Sequence, residues 1–122
     1  MPSKWYTIVV DSRDPVRLAH WWAEVLGYQV MFESPTETVI AADGHTYPGL
    51  VFVPVPEEKA LKNRLHIDLN PDDQAAEVER LTRLGATRVD VGQSAADPPV
   101  GWVVLADPEG NEFCVLTARE QP

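Results

Sequence analysis

The sequence has few of the features that mark secreted or membrane proteins. Its single cysteine, Cys114, cannot form an intrachain disulfide. No apolar run approaches the roughly 20 residues of a transmembrane helix. Charged side chains at Asp11, Arg13 and Asp14 follow the N-terminus too soon for the apolar core of a signal peptide. These absences predict a cytoplasmic protein that keeps its thiol reduced.

Basic residues are also scarce. The chain has 10 lysines and arginines against 19 acids, which gives a formal net charge of -9, and it has no basic cluster. Nucleic-acid binding depends on lysines and arginines that neutralise phosphates, and anionic membranes attract basic segments for the same reason. We therefore predict neither nucleic acid nor a membrane as a partner. The acidity favours solubility.

Alternating apolar and polar residues predict eight β-strands, and apolar residues at three- and four-residue spacing predict two helices. The 122 residues, 44% of them hydrophobic, suffice for one globular domain. Both predicted helices follow an acidic N-cap and end before a glycine, one between Asp14 and Gly27 and the other between Asp72 and Gly85. The predicted strands cover 5–11, 28–32, 37–42, 50–55, 64–70, 86–91, 102–106 and 112–117.

The two halves of the chain repeat one plan. Gly27 and Gly85 lie 58 residues apart, and each is preceded by an acid thirteen residues earlier. Thr7 and His66 correspond at an offset of 59 residues. We predict a single domain over 1–122 built from two repeats, about 4–56 and 63–118, with a charged connector at 56–62. Its predicted fold is α+β, with two βαβββ modules forming a curved mixed sheet around a concave pocket.

One predicted strand, 64–70, carries a histidine and a carboxylate on the same face. Leu65, Ile67 and Leu69 are expected to pack under a helix, which leaves His66 and Asp68 on the opposite face. A histidine of ordinary pKa, near 6.5, suits proton transfer, and a neighbouring carboxylate can orient its ring. The alternative is a pair of polar strand residues with a structural role.

The predicted concave face combines aromatic, apolar and a few polar side chains. Such a surface suits a flat, fairly apolar small molecule, although the same residues could instead fill the core or a dimer interface. For Cys114 the alternatives are a nucleophile activated by His66 and an inert buried thiol. Besides His66, the candidate ligand-binding residues are Trp5, Thr7, Val9, Phe52, Trp102, Val104 and Cys114.

Three motifs carry a family resemblance. They are Asp-Pro followed by HWWAEVLG at 14–27, KNRLHIDL at 62–69 and DPEGNEFCVL at 107–116. With them, the chain resembles the vicinal-oxygen-chelate superfamily, which includes glyoxalase I, extradiol dioxygenases and bleomycin-resistance proteins, and above all its small glyoxalase-like domain proteins. The resemblance implies paired βαβββ modules around a pocket, usually in a homodimer. In metal-dependent members it also implies histidine and glutamate or glutamine ligands on the first and last strands of each module.

In this chain, most of those positions carry residues other than the family's usual metal ligands. Thr7 matches the first position, Phe52 or Val53 the second, His66 the third, and Cys114 stands where metal enzymes have glutamate. Only His66 is retained as a metal-ligand candidate, so no metal cofactor is expected.

The resemblance and the degenerate ligand set together predict a metal-free protein that binds a small apolar or aromatic molecule. The alternative is a lyase, isomerase or dioxygenase-type enzyme, different from glyoxalase I. It would use His66 as a catalytic residue with Asp68 or Cys114, with or without a weakly bound divalent metal. The sequence leaves the choice between binding protein and enzyme open.

Overall fold

The computed structural model describes residues 2–89 and 101–118. The chain divides into two compact units, Met1–Glu58 and Lys59–Pro122. In each, the described elements run strand, helix and three strands, which confirms the predicted α+β fold of two βαβββ modules. Residues 93–100 of the predicted loop over 93–101 and residues 90–91 of the predicted strand over 86–91 lie outside the described ranges.

The first unit is an open four-stranded sheet with one helix. Its strand order is β1-β4-β3-β2, with β1 parallel to β4 and the other neighbours antiparallel. A parallel pair needs a crossover connection, which the chain makes through the helix and the two intervening strands. The elements are β1 (Thr7–Ser12), α1 (Pro15–Leu26), β2 (Gln29–Glu33), β3 (Thr38–Ala41) and β4 (Gly49–Pro54).

Local chemistry sets both ends of α1. The Asp14 side chain accepts a hydrogen bond from the Arg17 N–H at 3.3 Å, and Pro15 occupies the first helical position. Gly27 ends the helix with φ at 68°, a left-handed conformation that glycine adopts without strain. The helix buries Leu18, Ala19, Trp22, Ala23 and Val25 and packs on β3 and β4.

Phe52 belongs to this core and not to a pocket. Its side chain is 0% exposed, as is that of Ile40, whereas Val51 and Val53 on the other face of β4 are half-buried. The prediction that Phe52 lines the concave face is therefore wrong. Alternation separates the two faces of a strand, but it does not show which face the helix covers.

The second unit is another open four-stranded sheet with one helix. Its strand order is β5-β8-β7-β6, and β5 is parallel to β8. The core includes Leu81, Leu105, Phe113 and Val115. Neither helix in the described part of the chain is long and apolar enough to cross a membrane. The elements are β5 (Asp68–Leu69), α2 (Gln74–Leu84), β6 (Thr87–Arg88), β7 (Val103–Ala106) and β8 (Glu112–Val115).

Strand β5 is much shorter than the predicted strand over 64–70. Backbone pairing with β8 begins where the Cys114 N–H donates to the Ile67 carbonyl at 3.0 Å. On the N-terminal side of β5, the Asn63 side-chain amide donates to the Glu112 carbonyl at 2.9 Å. A side chain, and not a backbone N–H group, is thus the donor to this carbonyl of β8. The prediction that Leu65 packs under a helix is consequently wrong, since Leu65 is 86% exposed, while Leu69 is buried as expected.

The turn from Asp107 to Asn111 joins β7 to β8 as predicted. The Asp107 side chain is buried, and its Oδ1 accepts hydrogen bonds from the backbone N–H groups of Glu109 and Asn111, both at 2.9 Å. The Asn111 amide also donates to Asp107 Oδ2 at 2.9 Å. Gly110 has φ at 88°, which side chains rarely tolerate. These contacts give the physical basis of the DPEGN motif.

Candidate ligand pocket

The second unit contains a cavity of about 370 Å³ on the face of its sheet that carries Val104 and Cys114. These two residues are opposite each other in the β7–β8 register, so their side chains lie on the same face. Apolar side chains make up much of its surface. The lining residues are Lys62, Asn63, His66, Asp68, Trp102, Val104, Glu112, Phe113, Cys114 and Leu116.

Three of these side chains form a polar cluster, His66–Asp68–Cys114. Their ligand atoms all lie within 4.8 Å of one another. His66 Nε2 lies 3.2 Å from Asp68 Oδ1, and the Cys114 thiol donates a hydrogen bond to the Asp68 carboxylate. Asp68 and Cys114 are register partners in the parallel β5–β8 pair, so the sheet itself brings them side by side.

A second polar contact lies in the same cavity. Lys62 Nζ is 2.6 Å from Glu112 Oε1, and the Lys62 side chain is largely exposed while that of Glu112 is mostly covered. Lys62 and Asn63 were not predicted because they precede the predicted strand over 64–70, where no periodicity indicates which way a side chain points. The one sequence signal that Lys62 and Asn63 could belong to the site was their closeness to His66 along the chain.

The environment of Cys114 keeps it protonated. Burial raises the pKa of the Cys114 thiol, and the negative charge of Asp68 and its hydrogen bond raise this pKa further. Lys62 acts in the opposite direction with a smaller effect. Because the thiolate is the nucleophilic form, this arrangement favours the inert thiol over the catalytic cysteine among the two alternatives.

Alkylation of Cys114, the chain's single thiol, tests this arrangement. Asp68→Asn removes the charge that raises the thiol pKa, so iodoacetamide should react about three- to tenfold faster at mildly alkaline pH. Lys62→Met removes the positive charge that lowers this pKa and should slow the reaction. The rates are measured by mass spectrometry, with the guanidinium-unfolded chain as reference. An Asp68→Asn rate equal to or below that of the wild type would contradict the account.

The cluster offers a nitrogen, an oxygen and a sulfur donor. Zinc and other divalent metals that accept sulfur bind such donors, and the half-exposed His66 and Asp68 side chains have room to reorient. The three residues thus fit a metal in number and type. The sequence retained only His66 as a metal-ligand candidate, because it placed Asp68 beside His66 but did not show that Cys114 would meet them.

The remaining predicted pocket residues lie in the first unit. Thr7 lines a separate cavity there, and its hydroxyl donates to the Gly49 carbonyl at 3.2 Å. Trp5 and Val9 are largely exposed and are not among the lining residues of either described cavity. Within the second unit, the structure brings together His66, Asp68, Trp102, Val104 and Cys114 from the predicted set.

Comparison with known proteins identifies the family. Residues 7–116 match the family model of the glyoxalase-like domain, so the chain belongs to that family. This confirms the resemblance inferred from the three motifs. Comparison with curated protein sequences gives no match.

Solved structures share the fold at low identity. The fosfomycin resistance protein FosX from Mesorhizobium loti has a TM-score of 0.68 at 16% identity, covering 98% of this chain and 94% of that one. A glyoxalase/bleomycin resistance protein/dioxygenase family enzyme from Burkholderia phytofirmans PsJN has a TM-score of 0.66 at 20% identity, with 89% and 94% covered. The bleomycin resistance determinant encoded on transposon Tn5 has a TM-score of 0.60 at 19% identity, with 97% and 100% covered. These likenesses concern the fold alone.

Proposed function

We propose that the second unit's cavity binds a small aromatic molecule without a metal, with the His66–Asp68–Cys114 cluster as the polar end of the site. The observation that carries this proposal is the presence of the cluster in one cavity with Trp102, Val104 and Leu116. A cavity of about 370 Å³ is at the small end of ligand sites and suits a molecule of one or two rings.

Asp68 lies at the centre of the cluster. Asp68 contacts both His66 and Cys114, and its two oxygens have lone pairs left for the hydroxyl or N–H group of a ligand. The ring of Trp102 supplies apolar contact area for a flat ligand. Two of the structural relatives are named as resistance proteins against fosfomycin and bleomycin, which supports the fold's use in small-molecule binding.

A second candidate function is metal-dependent catalysis. The observation that favours it is the closeness of the three donor atoms, and His66, Asp68 and Cys114 would hold the ion. A divalent metal supplies a Lewis acid that polarises a substrate oxygen. If no metal takes part, His66 would act as the base: Asp68 would orient its ring, and the ring would accept a proton from a bound ligand. Metal binding would require loss of the Cys114 proton, which the neighbouring Asp68 charge opposes.

We also propose that the protein is a cytoplasmic homodimer. The large apolar side chains Trp5, Val9 and Phe32 are exposed in the first unit, and contact with a second copy would cover such groups. The single cysteine suits a reducing compartment. Sedimentation at monomer mass would contradict the dimer.

Nuclear magnetic resonance tests the proposed ligand site. The four tryptophans give four indole N–H peaks in a ¹⁵N-labelled chain, and single Trp→Phe variants assign them. Titration with 1-naphthol should move the Trp102 peak, and Trp102→Ala should weaken binding about tenfold through the lost aromatic contact. Trp5, an exposed tryptophan of the first unit, is the matched control. A Trp102 peak that stays fixed up to the solubility limit, or a shift confined to Trp5, would refute the proposal.

A further inference from the structure

The first unit has its own cavity, of about 310 Å³. Two exposed tyrosines, Tyr6 and Tyr47, lie at this cavity with their rings stacked, 5.3 Å between centroids and 28° between planes. Met31, Val39 and Val51 supply apolar surface. The cavity therefore combines aromatic rings with an apolar wall and is suited to an organic molecule.

The charges that line this cavity are all negative. Glu37 and Asp43 are among its lining residues, whereas lysine, arginine and histidine are not. Asp43 accepts hydrogen bonds from the backbone N–H groups of His45 and Thr46 and from the Thr46 hydroxyl. The His45 N–H and then the Thr46 hydroxyl are the main causes that lower the pKa of the Asp43 carboxyl, so Asp43 is ionised at neutral pH.

Glu37 differs from the acids of the surface ion pairs. Glu33, Glu77 and Glu112 each pair with a basic side chain. Glu37 is half-buried, and the contacts it makes in the described chain are those of its backbone N–H and carbonyl with Ser34. A partly buried carboxylate without a cationic partner favours a positively charged ligand.

We propose that this cavity binds a small organic cation, an amine or quaternary ammonium on an apolar body. The positive group would lie against Tyr6 and Tyr47 and near the Glu37 carboxylate, since aromatic faces attract cations. The apolar body would contact Met31, Val39 and Val51. This inference goes beyond the ligand site proposed for the second unit, which involves other residues and an uncharged aromatic molecule.

Calorimetric titration of the full chain with benzyltrimethylammonium tests this proposal. Its affinity should exceed that of the uncharged benzyl alcohol by about tenfold, and it should fall as salt is raised, because part of the attraction is between exposed charges. Glu37→Gln should weaken benzyltrimethylammonium binding about three- to tenfold. This variant keeps the backbone groups that bond Ser34, so the turn before β3 is retained.

Glu79→Gln is the matched control. It removes the same charge from an exposed ion pair on α2, and the affinity for benzyltrimethylammonium should stay at the wild-type value. Equal affinities for the cation and for benzyl alcohol, no binding at millimolar concentration, or equal losses in the two glutamate variants would overturn the proposal. Binding of 1-naphthol at Trp102, measured in Glu37→Gln, reports on the other site separately.

Discussion

Asp107→Ala is expected to lower the free energy of unfolding by about 3 kcal/mol, because it leaves several backbone and side-chain donors of a buried turn without an acceptor. The Asp107 carboxylate is 3% exposed and accepts from Glu109 N–H, Asn111 N–H and the Asn111 amide. Water cannot easily replace it there. The turn also fixes the register of β7 and β8, and thereby the position of Cys114 opposite Val104.

Guanidinium unfolding followed by circular dichroism measures this loss. Asp43→Ala is the matched control, since Asp43 accepts from the His45 and Thr46 N–H groups in a turn of similar chemistry that lies fully in solvent. Water can take over those bonds, so the control should lose far less stability. Similar losses in the two variants would show that the burial of Asp107 is not what makes its turn important.

Phe52→Ala is expected to cost about 3–5 kcal/mol, the usual range for removing a fully buried phenylalanine ring from a core. Phe52 lies in β4, against which α1 packs, and its loss would leave a cavity under that helix. The variant shows on which face of β4 the Phe52 side chain lies. Loss of a core residue lowers the free energy of unfolding, whereas loss of a pocket residue weakens ligand binding.

Val53→Ala is the control from the opposite face of the same strand. Val53 is half-buried, so its truncation should cost about 1 kcal/mol or less. Thermal and guanidinium unfolding give both values. If Phe52→Ala unfolds like the wild type while binding of 1-naphthol weakens, then the placement of Phe52 on the pocket face, inferred from sequence, would be right after all.

Features governed by neighbouring residues could be predicted from the sequence. The ends of α1 follow from Asp14 and Gly27, and the Asp107 turn follows from its own side chains. Residues two apart on a strand share a face, so the closeness of His66 and Asp68 was also predictable. The repeat of helix caps indicated two similar modules, which the structure confirms.

Features governed by distant residues could not be predicted in the same way. Which face of β4 is buried depends on where α1 packs. Beside β5, the Asn63 side chain bonds the Glu112 carbonyl, a contact that no pattern in the sequence indicates. Likewise, Cys114 meets Asp68 through the register of two strands 46 positions apart in sequence. Periodicity contains no information about such pairings. The Phe52 prediction failed although the alternation of β4 was correct, and the Leu65 prediction failed because β5 does not reach Leu65.

The most direct test of the account is the dissociation constant of 1-naphthol, followed at the Trp102 indole peak, for chelator-treated protein with and without added zinc. The chelated protein should bind 1-naphthol, and zinc should leave the affinity unchanged or lower it, because the metal would compete for Asp68 and His66. Binding that appears only after zinc is added, and disappears again in Cys114→Ser, would contradict the metal-free site and favour the metal-dependent enzyme.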